Sequence, residues 1–154
     1  MKLLTYKNYL EVIKKSEKSE MFRSLWVKDQ GEEKDILKDG QIACAYYVSS
    51  ILKIFDLISN PHATVSGTVR DMINSGWRET NELKIGNVLV WEEKEFENGE
   101  RHTHIGFYLG DDKAISNSDE LGVPKIHHYT EGKTEKDEPK RKIEKIITYP
   151  FIIK

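Results

Sequence analysis

Apolar residues recur at helical spacing in the first half of the chain and in short alternating or continuous runs in the second. The first helical pattern spans about Tyr6 to Phe22. Tyr9, Leu10, Val12, Ile13, Met21 and Phe22 supply its apolar positions, and Lys14, Lys15, Glu17 and Lys18 its wet side. Lys28 to Lys38 is charged, is broken by Gly31, and reads as a loop or a ragged short helix. Asp39-Gly40 is a turn signal. The strongest pattern follows, from Cys44 to Ile58. Ala45, Val48, Ile51, Leu52 and Phe55 lie on one stripe, which Tyr47, Ile54 and Ile58 widen. So broad an apolar face predicts a central helix, ended by Asn60-Pro61. Thr64 or Ser66 caps a third helix over roughly Gly67 to Ser75, with Val69, Met72 and Ile73 inward and Gly76 as its stop.

After Trp77 the period changes. Val88 to Trp91 is a short apolar strand behind the turn at Gly86-Asn87. Glu92 to Glu100 is charged and holds Asn98-Gly99, a hairpin signal. Thr103 to Leu109, Lys113 to Ser118 and Lys125 to Tyr129 read as further strands, and Ile143 to Ile153 is expected to close the sheet. Glu131 to Arg141 is almost wholly polar and is expected to be a mobile loop. Helices followed by an antiparallel meander predict an α+β fold, and with no repeat or linker in 154 residues one domain is expected.

Composition narrows the classes. A net charge of −2 gives no reason to expect nucleic acid as the main partner. A single cysteine leaves no internal disulfide framework and no zinc site built on several thiolates. No apolar run has the length of a signal-peptide core or a membrane span. A cytoplasmic protein without a membrane partner is therefore expected, unless it is exported by another route.

That one cysteine, Cys44, falls in the first turn expected after Asp39-Gly40, where unpaired N–H groups point outward. Such donors stabilise a thiolate and help hold the oxyanion of a tetrahedral intermediate. The competing reading is a buried core cysteine, common for this residue type. About sixty residues on, His104 opens an apolar strand, and Gly106 leaves space on the same strand face. His102 shares that face and is a rival base, but His104 lies deeper in the apolar run. An imidazole base needs an orienting partner. Asn117 is the expected one. Ser116, on the opposite strand face, and the pair His127 and His128 are the alternatives. His102, His104, His127 and His128 also raise zinc as a competing chemistry, although none of the spaced metal motifs occurs.

Three segments together resemble the NlpC/P60 family of cysteine peptidases, with the CHAP amidases as relatives. They are the helix-borne Cys44, Leu83-Lys84-Ile85-Gly86-Asn87-Val88-Leu89-Val90-Trp91, and His104-Ile105-Gly106-Phe107-Tyr108-Leu109-Gly110. In that family a cysteine starts the central helix, a Leu-x-x-Gly-Asp-Leu-Val strand follows, and His-Val-Gly-Ile-Tyr-Leu-Gly carries the base. The resemblance covers roughly Asp39 to Ser118. It departs at Ala43-Cys44-Ala45-Tyr46, where the family has Asp-Cys-Ser-Gly, and at Asn87, where it has aspartate. It implies a papain-like α+β fold and a peptide or peptidoglycan-fragment substrate, with an amide bond cleaved by Cys44, His104 as base and Asn117 as orienter. No cofactor is implied. A catalytically silent peptide- or partner-binding member of the same fold is the main alternative, and a small acyltransferase using the same thiol is another.

Overall fold

The computed structural model describes residues 1–153. Its elements are, in chain order, α1 (Thr5–Lys15), β1 (Trp26–Asp29), β2 (Glu32–Asp35), α2 (Cys44–Ile54), α3 (Val65–Asn74), β3 (Arg78–Thr80), β4 (Val88–Glu95), β5 (Arg101–Gly110), β6 (Lys113–Asn117), β7 (Pro124–His128), β8 (Ile143–Thr148) and α4 (Pro150–Ile153). The fold is α+β. Six strands form one sheet in the order β3-β8-β4-β5-β6-β7, every pairing antiparallel. Strands β4 to β7 are the expected meander. The last strand does not close the far edge. β8 runs back beside β4 and lies between it and the short β3. The chain then leaves the sheet through Pro150, which starts α4 and lacks the N–H a ladder needs.

Strand alternation divides the core in two. Val88, Val90, Ile105, Phe107, Ile115 and Ile147 project toward Ala45, Val48, Ile51 and Leu52 of α2. Leu89, Trp91, Tyr108 and Ala114 project to the other face, where Tyr129, Ile143 and Ile146 cover them. A side chain of this size contributes roughly 1.5–3 kcal/mol when fully buried, which makes the two faces the main source of stability. α1 is fastened to the first face by Tyr9, whose hydroxyl donates to the Gly86 carbonyl at 2.7 Å while its ring meets Phe107 edge-on.

Several boundaries differ from the expectations above, each for a local reason. α1 stops at Lys15 rather than near Phe22. The Ser16 hydroxyl turns back onto the Ile13 carbonyl, and Lys18 is left-handed (φ 64°) with its N–H bonded to Pro124. Met21 is exposed, while Phe22 packs edge-on against Tyr47. Residues 28–38 are not a helix or plain loop. They contain most of a two-stranded hairpin whose turn, Gln30-Gly31, has positive φ at both residues, the twist such turns prefer. α2 ends at Ile54, four residues early, because Asp56 adopts φ 56° and Leu57 N–H returns to the Leu52 carbonyl. In α3 the buried residues are Thr68, Asp71 and Met72, Val69 packs partly buried against the core as expected, and Ile73 is exposed. The polar stretch 131–141 is a loop, but one folded on itself through a Lys133–Pro139 bridge and ending on a buried Arg141.

Asp71 organises the turn that follows α2. Its carboxylate accepts from Ser59 N–H, Asn60 N–H and the Ser75 hydroxyl, and it meets the His62 ring at 2.6 Å. Burial alone would raise its pKa, but these donors together hold it well below the usual carboxylate range. A depressed folded pKa stabilises fully above the unfolded value of about 3.9, and that contribution is lost as pH falls through the folded value. Asp71→Asn is expected to lower unfolding free energy by about 1.5–3 kcal/mol at pH 7. Urea titrations at pH 7 and in acid check this, since the wild type's margin over the variant must shrink as the medium is acidified.

Candidate active site

Cys44 is set by the loop before it. Lys38, Asp39 and Gly40 all have positive φ (52°, 54° and 90°), so the chain turns sharply into α2. A Cβ at Gly40 would run into the backbone of Gly122, so glycine is required there. The Gly40 carbonyl accepts from Asn117 Nδ2 at 2.7 Å, which ties this loop to the end of β6. The N-cap residue is Ala43, which supplies no side-chain cap to the first amides of α2. The half-buried thiol lies against the backbone N–H groups of Ala45 and Ile105. Tyr108 N–H bonds Asn87 in the direction of β4, so by alternation the Ile105 N–H points to the β6 side. There the β5–β6 ladder ends at the Gly106–Ser116 pair. The sulfur occupies the gap where the ladder stops.

His104 is buried on β5, directly before the residue whose amide meets the thiol. Its Nε2 is 2.8 Å from Ser116 Oγ, which is in turn 2.7 Å from His127 Nε2. His127 Nδ1 lies 2.7 Å from the His128 carbonyl. Trp91, paired with His104 across the ladder, packs its indole over both rings (centroids 5.3 Å and 5.6 Å) and donates Nε1–H to the Tyr129 carbonyl. The space expected beside Gly106 is filled by protein: a Cβ there would collide with the Ile115 carbonyl, Ser116 Cβ and the Trp91 ring.

Asn117 is not the ring's partner; Ser116 is. Ser116 pairs with Gly106, so it shares the face of His104, while Asn117 points to the other face and reaches Gly40. The sequence reading reversed this alternation for want of a register between the two strands. His102 lies on the rim, half-exposed, with Nε2 at 2.9 Å from Glu100. His128 turns to the Thr130 hydroxyl. Among the described residues, no three His, Cys, Asp or Glu side chains converge as a metal-binding group.

A cavity of about 720 Å³ opens on both the thiol and His104. Cys44, His104, Gln41, Thr64, Asp119 and Arg141 are on its wall. Arg141 was expected at the end of a mobile polar loop. It is instead buried, donating to the Glu92 carbonyl (3.0 Å) and the His102 carbonyl (2.8 Å) and facing Glu131 at 3.5 Å. Nothing in the pattern of residues 136–142 distinguishes it from its exposed neighbours.

The thiol and the imidazole both rest uncharged. Burial, seconded by the Asp119 carboxylate, pushes the Cys44 thiol up to about 11, against the opposite pull of the Ile105 and Ala45 amides and Arg141. Burial, with Arg141 and His127 adding to it, takes His104 down to about 3. Burial raises Asp119 as well. Comparison with protein-family models, with curated proteins and with solved structures returned no match for this chain.

Two outcomes follow. The ultraviolet difference spectrum between wild type and Cys44→Ser should carry no thiolate band at pH 7 and gain one only as pH approaches 11. Gly106→Ala should lower unfolding free energy by about 1–3 kcal/mol in denaturant titrations, because the added methyl overpacks the Trp91 ring.

Proposed function

We propose that the protein is a papain-like cysteine hydrolase that cleaves an amide or peptide bond with Cys44 as nucleophile and His104 as general base. The observation that carries the reading is the single thiol at an uncapped helix start, opening on the same cavity as a buried imidazole whose Nε2 is already engaged by Ser116. The resemblance of Cys44, the Gly86-Asn87-Val88 strand and the His104-Ile105-Gly106 strand to the NlpC/P60 family adds the substrate class: a peptide of the cell-wall type.

The reaction starts from neutral thiol and neutral imidazole. As the sulfur attacks the scissile carbonyl, the S–C bond forms and the thiol proton passes to His104. The tetrahedral oxyanion is held by amides of the first turn of α2, with the Gln41 carboxamide on the same wall. The imidazolium then gives its proton to the leaving amine as the C–N bond breaks. Water, deprotonated by the same ring, releases the acid product and restores the thiol. Deferring charge separation until substrate fills the cavity fits the resting pKa values, because a bound carbonyl offers the developing charge a destination that the empty site lacks.

A peptidase assay on a stem-peptide amide tests this. Cys44→Ala should abolish turnover and His104→Ala should lower kcat/KM by about 10²- to 10⁴-fold. The working form carries one proton on the pair. It is lost to further protonation only near pH 3 and to deprotonation only near pH 11, so kcat/KM should be flat across neutral pH. A second reading, a silent fold that binds a peptide in the same cavity, is favoured by one observation: both pKa shifts run opposite to those of a ready thiolate–imidazolium pair. Peptide binding with no turnover, equal in wild type and Cys44→Ala, would establish that reading in place of the first.

A further inference from the structure

The chain of contacts from His104 to the His128 carbonyl extends past the partner that the hydrolase reading uses. It has one fixed end. A carbonyl oxygen only accepts, so His127 Nδ1, 2.7 Å from it, carries a proton. His127 is largely enclosed beneath Trp91, and its burial disfavours the charged ring. The neutral ring therefore offers a lone pair at Nε2. The Ser116 hydroxyl has a single proton, and the acceptor 2.7 Å away takes it. The Ser116 oxygen is then left as an acceptor toward His104, and His104 Nε2, at 2.8 Å, must be the donor. Each link follows from the one before. His104 is left with its proton on Nε2 and its lone pair on Nδ1.

We propose that Ser116 and His127 are positioning residues which lock His104 in the Nε2–H tautomer, so that Nδ1 is the one ring nitrogen able to receive the Cys44 proton. The tautomer assignment stands on the hydrogen-bond geometry together with the neutral state of the enclosed His127 ring; only its use in proton transfer rests on the hydrolase reading. A hydroxyl by itself orients a ring without choosing its tautomer, because it donates or accepts equally well. The second imidazole removes that choice. Its own freedom is removed by the carbonyl, a group with no alternative state. Among the charged neighbours, Arg141 is committed to the Glu92 and His102 carbonyls and Glu131, and His128 Nδ1 to the Thr130 hydroxyl; Lys125 and His128 disfavour a charged His127, Glu131 favours it, and burial outweighs them.

The test is long-range ¹H–¹⁵N correlation of ¹⁵N-histidine protein at neutral pH, which reads each ring nitrogen's protonation whether or not the protein turns over substrate. Wild type is compared with Ser116→Ala, His127→Gln and His127→Phe. Wild type should give a pure Nε2–H signature for His104, and H127Q should keep it, since the Gln oxygen replaces the lost acceptor. In H127F the Ser116 hydroxyl has no acceptor and is free to donate to His104, so the tautomers should mix. S116A should mix them too, and as a small truncation it decides the matter if H127F does not fold. Iodoacetamide alkylation of Cys44 should slow by about tenfold or more in the mixed-tautomer variants. A wild-type ring protonated on Nδ1, an H127Q that behaves like H127F, or a His104 tautomer unmoved in folded S116A would overturn the proposal. A locked tautomer beside a wild-type thiol inert to iodoacetamide would instead overturn the hydrolase reading and leave the lock standing.

Discussion

Trp91 packing across Gly106 is the contact on which the arrangement of the site depends. Its ring is fully buried, lies against both His104 and His127, and is hydrogen-bonded to the chain after β7. It thereby links β4, β5, β6 and β7 on the face away from α2. It also excludes water from the imidazoles, which makes burial the leading cause of their lowered pKa values. The glycine is a condition of this arrangement, because any side chain at 106 would separate the indole from Ser116.

The electrostatics follow from that dryness. A thiol in a low-dielectric pocket resists ionisation, and the two amides beside it do not reverse the effect. The Asp119 carboxylate works in the same direction as burial, and the guanidinium of Arg141 opposes them for the thiol while disfavouring a charged His104. The site is therefore balanced toward neutrality at both members. Under the hydrolase proposal such a balance suits a reaction in which charge develops only with the carbonyl in place; an un-ionised thiol is also slow to oxidise.

Much of this was legible in the sequence, and the exceptions have physical causes. The helix starting at Cys44 was readable because its apolar stripe is wide and its entry is marked by Asp39-Gly40. The strands around Val88 and His104 were readable from continuous apolar runs. The end of α1, the hairpin at Gln30-Gly31 and the early stop of α2 were not, since each turns on a left-handed residue that no periodicity announces. Placing Ser116 rather than Asn117 beside His104 needed the register between β5 and β6, and a shift of one residue swaps the faces. Arg141 was hidden for a different reason: its carbonyl partners are backbone groups from distant strands. Composition carries no record of such contacts.

The pairing of Gly40 with Gly122 has a bearing on how the molecule comes to be. Two backbones that touch without side chains between them join points far apart along the polypeptide, and the Asn117 bond to Gly40 spans a similar distance. Contacts of such long sequence separation are slow to form. The thiol acquires its surroundings only once the late strands have arrived. A nascent or partly assembled chain thus carries the sulfur without the setting.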